Sequence, residues 1–210
     1  MGKIVFQNPC SLDALRKIAV YEKRLFGKEA EAMPFSKMLS IWRKNPYMFN
    51  SLMDGPKLLG YANIFAMNED GAKMMNMKKS IEERIDVGNV CDSLRMKNSP
   101  LLYFEAIAAV GSGEGRKKLV AMLMYGRAKF LETRFNLPKL AYVVPVTNDG
   151  LRLARTYDAV RFGSVTLYDS CEKHEKHGFY RFRVSKDWCK RVKERASKRA
   201  VPTMIFKKIR

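Results

Sequence analysis

The chain has 210 residues, 47% of them hydrophobic and 29% charged, which suits one folded domain with a sizeable core and excludes a disordered chain. Lys and Arg number 40 against 21 Asp and Glu, a net charge of +19, and such an excess points to a polyanionic partner. No apolar run approaches the roughly 18 residues of a spanning helix. The N-terminal MGKIVFQNPC lacks the apolar stretch of a signal peptide. Cys10, Cys91, Cys171 and Cys189 are widely spaced with no Cys-x-x-Cys, so the expected setting is a reducing cytoplasm.

Ser11 can cap a helix running to about residue 26, with Leu12, Leu15, Ile18, Ala19, Glu22 and Leu25 at helical spacing. Pro34 suits the start of a second helix to about residue 44, stopping before Pro46. Segments 47–53 and 58–67 read as strands joined by the Asp54-Gly55-Pro56 turn. Ser80 with Glu83 forms a capping box for a short helix ending before Gly88. Residues 101–110 make an almost continuously apolar strand, as expected mid-sheet. A helix over 116–135, a strand over 138–146 and a helix over about 150–159, opened by Thr147-Asn148-Asp149, come next. Strands over 164–168 and 179–184, a basic helix over 186–200 and a last strand over 204–209 close the chain. Strands alternate with helices in the middle, which predicts an α/β fold with parallel pairing there and a mixed sheet overall.

Between strand 101–110 and its following helix stand Gly111, Gly113 and Gly115, then Arg116, Lys117 and Lys118. A helix N-terminus offers unpaired N–H groups and a partial positive charge. Three cations there oppose the dipole unless an anion sits among them, so the turn suits a phosphate-bearing ligand. A flexible loop with solvated lysines is the plainer reading of the same residues.

Taken in order, these pieces resemble the GNAT acyltransferase superfamily over about residues 12–184. Segment LLGYANIFAM at 58–67 is similar to the family strand that opens with an apolar-Gly-Tyr step. The 80–85 segment resembles the family's acidic helical insert, and 101–115 its central strand and pyrophosphate loop. Asn148, Leu153, Ala154 and Tyr157, followed by Phe162, resemble the family's Asn…Leu-Tyr-x-x-x-Gly-Phe helix. The departures are specific. Val110 stands where the family loop has Gln or Arg, the Gly113-x-Gly115 pair follows the strand early, and Arg161 replaces a glycine.

The resemblance implies a mixed, mostly antiparallel sheet flanked by helices over 1–185, with 186–210 as a basic helical extension packed on or beside it. It implies acyl transfer to an amine, with acetyl-CoA as donor and the coenzyme A thioester as the small-molecule partner. Val110, Gly111, Gly113, Gly115, Arg116, Lys117 and Asn148 would then contact the coenzyme. Tyr157 falls at the position of the family tyrosine that protonates the leaving thiolate, and a phenol keeps its proton at neutral pH. Packing between helix and sheet is its other reading. Glu105 is the only acid in its apolar strand. Burial raises a carboxyl pKa and would make it a general base. A side chain open to a groove, or paired with a lysine, is the alternative.

Cys171, His174 and His177 are residue types zinc accepts, with Cys189 nearby in sequence, but SCEKHEKHGF reads as a solvated loop of non-standard spacing. No metal is expected. Residues 181–210 hold 12 Lys/Arg against Asp187 and Glu194 alone. The helix there sets Trp188, Val192 and Ala196 toward a core and Lys190, Arg191, Lys193, Arg195, Lys198 and Arg199 toward solvent. That face fits tRNA or DNA, or a membrane surface, which the few large apolar residues of the stripe make the less favoured partner, or else serves solubility. The sequence therefore favours an N-acyltransferase whose acceptor is carried on, or bound to, nucleic acid. Its rival is a catalytically degenerate relative that binds nucleic acid or a protein partner.

Overall fold

The computed structural model describes residues 3–26, 33–75, 85–145, 147–168, 174–200 and 205–207. The chain runs β1 (Ile4–Gln7), α1 (Leu12–Phe26), α2 (Phe35–Lys44), β2 (Phe49–Asp54), β3 (Lys57–Met67), α3 (Glu69–Met75), β4 (Leu101–Ala109) and α4 (Gly113–Arg134). It continues through β5 (Lys139–Val143), α5 (Asn148–Thr156), β6 (Val160–Tyr168), β7 (His174–Val184), α6 (Lys186–Ala200) and β8 (Ile205–Lys207). Eight strands form one sheet in the order β6-β7-β5-β4-β3-β2-β1-β8. β4 with β5 and β1 with β8 are parallel, and the other neighbours are antiparallel. This is the mixed, mostly antiparallel sheet flanked by helices that the sequence implies.

Local chemistry explains the elements. Ser11 Oγ accepts the Ala14 N–H at 3.1 Å and starts α1. Ala14, Leu15 and Ile18 are fully buried on one stripe of that helix, and Glu22 continues the stripe. Pro34 precedes the first turn of α2, whose Met38 and Ile41 are buried. From Leu58 onward β3 is buried at all but one residue, because helices cover both of its faces. Gly126 lets α4 approach the sheet: a Cβ there would lie 2.4 Å from the Phe6 ring. α6 buries Trp188, Cys189, Val192 and Ala196 and packs along α4, and β8 then pairs with β1 at the far edge of the sheet.

Several expected boundaries move. α4 begins at Gly113 rather than 116, so Gly113 and Gly115 both lie in its first turn. α5 stops at Thr156, because Tyr157 leaves helical geometry and Asp158 takes φ +66°. β6 and β7 are longer than expected. His174 and His177 lie on β7, opposite Tyr168 and Val165, rather than in a loop. The backbone ladder with β6, not an apolar pattern, makes that segment a strand. The Ser80–Glu83 capping box and Cys171 fall outside the described residues.

Candidate active site

Glu105 sits where the sheet opens. β3 pairs with β4 through Asn63 opposite Ala106 and Ile64 opposite Phe104, so Glu105 is the extra residue of a β-bulge. β4 pairs with β5 only as far as Phe104 opposite Val143. Among the described residues, β4 has no strand partner on its β5 side from Glu105 onward. A bulge re-aims a side chain and ends a pairing, and here it does both at one acid. Phe104 faces α4 and α6, against Arg127 and Trp188, while Glu105 turns to the α1 face.

On that face stands a polar cluster enclosed by the core. Asn63 Nδ2 donates to Glu105 Oε2 at 2.9 Å and to Glu22 Oε1 at 3.2 Å. Arg127 Nη2 donates to the carbonyls of Asn63 (2.6 Å) and Ala106 (3.1 Å), tying α4 to both strands at the bulge. Its guanidinium also lies over the Phe104 ring, 4.4 Å from the centroid. Burial pushes the Glu105 carboxyl up to about 7, against the hydrogen bond from Asn63 and the pull of Arg127. Burial, then the neighbouring Glu105 charge, pushes Glu22 up to about 9. Burial likewise brings Arg127 down to about 9. The Tyr61 hydroxyl is held protonated by burial and by both carboxylates. A carboxyl poised near neutral pH and partly exposed at a gap in the sheet is equipped to take a proton.

The glycine turn lies at the end of the same strand. Val110 is tied back by its N–H to the Leu59 carbonyl at 2.9 Å. Gly111 and Gly113 take φ of +83° and +55°, a region that glycine enters without strain. Ser112 precedes the first turn of α4 without capping it through its side chain. A Cβ at 111, 113 or 115 would meet nothing within 4 Å, so open space lies over the turn. The cations are fewer than they looked. Lys117 pairs with Glu114 at 2.6 Å, which leaves Arg116 and Lys118 exposed around the turn. Asn148 is exposed as the first residue of α5, beyond the end of β5.

Tyr157 closes α5, buried on the other face of the sheet from Glu105. Its carbonyl accepts the Trp188 indole N–H at 3.0 Å, and the two rings lie 6.0 Å apart. Trp188 also meets Phe104, the residue before the bulge, at 6.3 Å. Burial raises the Tyr157 pKa, against Arg195 and Arg199. The sheet thus separates the tyrosine face from the carboxylate face, and β4 and β5 part between them beyond Phe104.

Half of the tail's basic face is engaged within the chain. Arg191 pairs with Asp158 at 2.6 Å, Lys193 with Glu132 at 2.6 Å, and Arg195 donates to the Thr156 carbonyl. Lys190, Lys198 and Arg199 are exposed. Among the described residues no group of three or more His, Cys, Asp or Glu could hold a metal ion, and Cys10, Cys91 and Cys189 are free buried thiols.

No family model matches the chain, and no curated protein matches it. Solved structures do. Ard1 from Thermoplasma volcanium superposes with a TM-score of 0.57 at 10% identity, over 87% of this chain and 98% of that one. An N-acetyltransferase from Staphylococcus aureus gives 0.57 at 11% identity, over 88% and 100%. A GNAT-superfamily phosphinothricin acetyltransferase from Sinorhizobium meliloti, solved with AcCoA, gives 0.53 at 15% identity, over 88% and 90%. The chain has the GNAT fold. Within that fold, Glu22, Tyr61, Asn63 and Arg127 gather around Glu105 in a buried polar cluster that the sequence alone did not single out. The available signal was a polar residue inside an apolar pattern: Glu22 on the α1 stripe, Asn63 within LLGYANIFAM.

Proposed function

We propose that the protein is an N-acyltransferase that moves an acetyl group from coenzyme A to an amine. The observation that carries this reading is Glu105, bulged out of β4 where the strand parts from β5, upstream of the glycine turn on the same strand. The thioester brings the acyl group. Gly111, Gly113, Gly115 and Arg116 would receive its phosphates on open, uncapped amides and an exposed cation, with Val110, Lys117 and Asn148 at the edges of that surface. The gap between β4 and β5 gives the acyl end a route from the Tyr157 face to the Glu105 face.

Glu105 takes a proton from the amine nitrogen, leaving a lone pair for attack on the carbonyl carbon. As the N–C bond forms and the C–S bond breaks, the bonding pair goes to sulfur, and Tyr157 delivers the proton that sulfur needs. The second nitrogen proton leaves as the amide forms, so one proton is released overall for each ammonium consumed. Structural neighbours that are acetyltransferases, from Staphylococcus aureus and Sinorhizobium meliloti, support the reaction class. Acetyl-CoA supply and buried free thiols suit a cytoplasmic setting.

The finer reading, an acceptor carried by tRNA or by a nucleic-acid-bound protein, rests on the +19 charge and now on Lys190, Lys198 and Arg199. Val110, in place of a polar loop residue, favours the second reading: a GNAT-like binding module without catalysis. Melting with acetyl-CoA separates the two. At about 100 times its dissociation constant the ligand should add about 2.7 kcal/mol of stability. No stabilisation at millimolar acetyl-CoA would favour the binding module.

A further inference from the structure

α5 ends at Thr156, and a helix end leaves its last carbonyls without partners inside the helix. Three consecutive residues at that end are held by three side chains of α6. Arg195 donates to the Thr156 carbonyl, the Trp188 indole N–H donates to the Tyr157 carbonyl at 3.0 Å, and Arg191 pairs with the Asp158 carboxylate at 2.6 Å. Positions 188, 191 and 195 follow helical spacing, so one stripe of α6 makes all three contacts. Cations beside a helix C-terminus also meet the negative end of its dipole. Asp158 stands at φ +66°, a conformation that a residue other than glycine keeps where its surroundings fix it, and Arg191 is such a fixture. The same tryptophan reaches toward the carboxylate. Trp188 is 2% exposed. Its ring lies 6.0 Å from the Tyr157 ring, 5.4 Å from Phe182, on which it stacks, and 6.3 Å from Phe104. Phe104 is the residue before Glu105 and carries Arg127 over its ring. One side chain of α6 therefore spans Tyr157 and the strand at the point where the bulge begins.

Core packing accounts for Trp188, Cys189, Val192 and Ala196 on the buried side of α6. It does not account for two arginines spent on the two residues that flank Tyr157. We infer that α6 is a positioning element of the active site: Trp188, Arg191 and Arg195 are positioning residues that hold Tyr157 at a fixed place relative to Glu105 across the sheet. The inference rests on the acyl-transfer reading, in which Tyr157 protonates the leaving sulfur. In that step the Tyr157 O–H bond breaks, its electron pair stays on oxygen, and an S–H bond forms. Solvent then returns a proton to the phenolate. Arg195 and Arg199 act against the burial that raises the Tyr157 pKa, so the phenolate forms beside positive charge. A misplacement of about 1 Å at such a group costs on the order of 10²-fold in rate. The helix that the sequence offers as a basic extension is then part of what turnover requires.

The test uses the full chain with butylamine and acetyl-CoA, together with fluorine NMR of protein labelled with fluorotyrosine. The Tyr157 resonance is the one that Tyr157→Phe removes. Trp188→Phe keeps a ring and deletes the indole N–H, Arg195→Met deletes the donor to Thr156, and Arg195→Lys keeps a donor and the charge. Trp188→Phe and Arg195→Met should each lower kcat roughly 10- to 100-fold, with KM for both substrates within about threefold. Arg195→Lys should stay within about threefold of the wild type in both. For the protein alone, the Tyr157 resonance should be single and narrow in the wild type and Arg195→Lys, and broadened or split in the other two. If Trp188→Phe does not fold, Arg195→Met, at an exposed residue, decides the matter. A wild-type kcat, or an unchanged Tyr157 resonance, in the folded variants that lack these donors overturns the inference. Failure of acetyl-CoA to bind, or a fully active Tyr157→Phe, would instead overturn the acyl-transfer reading. The Tyr157 resonance of the protein alone would still decide whether α6 holds that residue, whatever the turnover of butylamine.

Discussion

Glu22→Gln makes a stability prediction that needs no substrate. Glu22 is 4% exposed, and its carboxyl is pushed up to about 9 by burial first and by Glu105 second, from the ordinary 4.5. The folded state therefore holds this proton more tightly than the unfolded state does. Stability falls as pH rises from about 4.5 toward about 9. Each tenfold drop in proton concentration across that window removes about 1.4 kcal/mol. By pH 8 the loss approaches about 5 kcal/mol, and sharing of the proton with Glu105 brings it to about 3–5 kcal/mol. Glutamine keeps the acceptor for Asn63 Nδ2 and does not titrate. Urea unfolding at pH 4.5 should then find the two proteins within about 1 kcal/mol, since neither carries a charge at this position in the folded state there. At pH 8 the variant should exceed the wild type by about 3–5 kcal/mol with an unchanged m-value. A difference that does not grow between pH 4.5 and 8 would refute the buried, proton-holding carboxyl.

Gly113→Asp puts a carboxylate over the first turn of α4 at φ +55°, and should abolish coenzyme binding by calorimetry while circular dichroism stays native. Tyr157→Phe deletes one hydroxyl and keeps the contacts with Trp188, so turnover should fall by roughly 10²-fold or more with coenzyme affinity unchanged. Gly126→Ala drives a Cβ to 2.4 Å from the Phe6 ring and should lower stability by about 1–3 kcal/mol in urea unfolding. Lys190, Lys198 and Arg199 changed together to Gln should flatten the salt dependence of tRNA binding by roughly 0.7–0.9 per lost phosphate contact, while Arg191→Gln and Lys193→Gln, whose cations are paired internally, should change it less.

Elements with strong local patterns were legible in the sequence. Ser11 marked α1, Pro34 marked α2, and the apolar run at 101–110 marked a central strand because helices cover both its faces. β1 was not, being four residues long and held between β2 and β8 rather than by any local signal. β8 was legible as a strand, but its pairing with β1 joins the two ends of the chain and leaves no local trace. Glu105 was legible as a lone acid. The bulge that aims it was not, because a bulge is a fact of register between β3 and β4. Glu22 lay in plain view as a polar residue on an apolar stripe, yet its meaning depends on Asn63, 41 residues away. The internal pairs of the tail's basic face were not legible for the same reason: the partners of Arg191 and Lys193 are Asp158 and Glu132, 33 and 61 residues distant.

Acyl transfer to an amine through Glu105 is tested most directly by measuring acetylated product by mass spectrometry together with coenzyme thiol release, for the wild type and Glu105→Gln, from mildly acidic to mildly alkaline pH. The wild type should form one acetylated amine per thiol released, with kcat/KM rising to a plateau through about pH 7, where the Glu105 carboxyl ionises. Glu105→Gln should lose that rise along with roughly 10²–10⁴-fold in rate. Thiol release without acetylated amine, or a Glu105→Gln protein with the wild-type rate and pH profile, would contradict it.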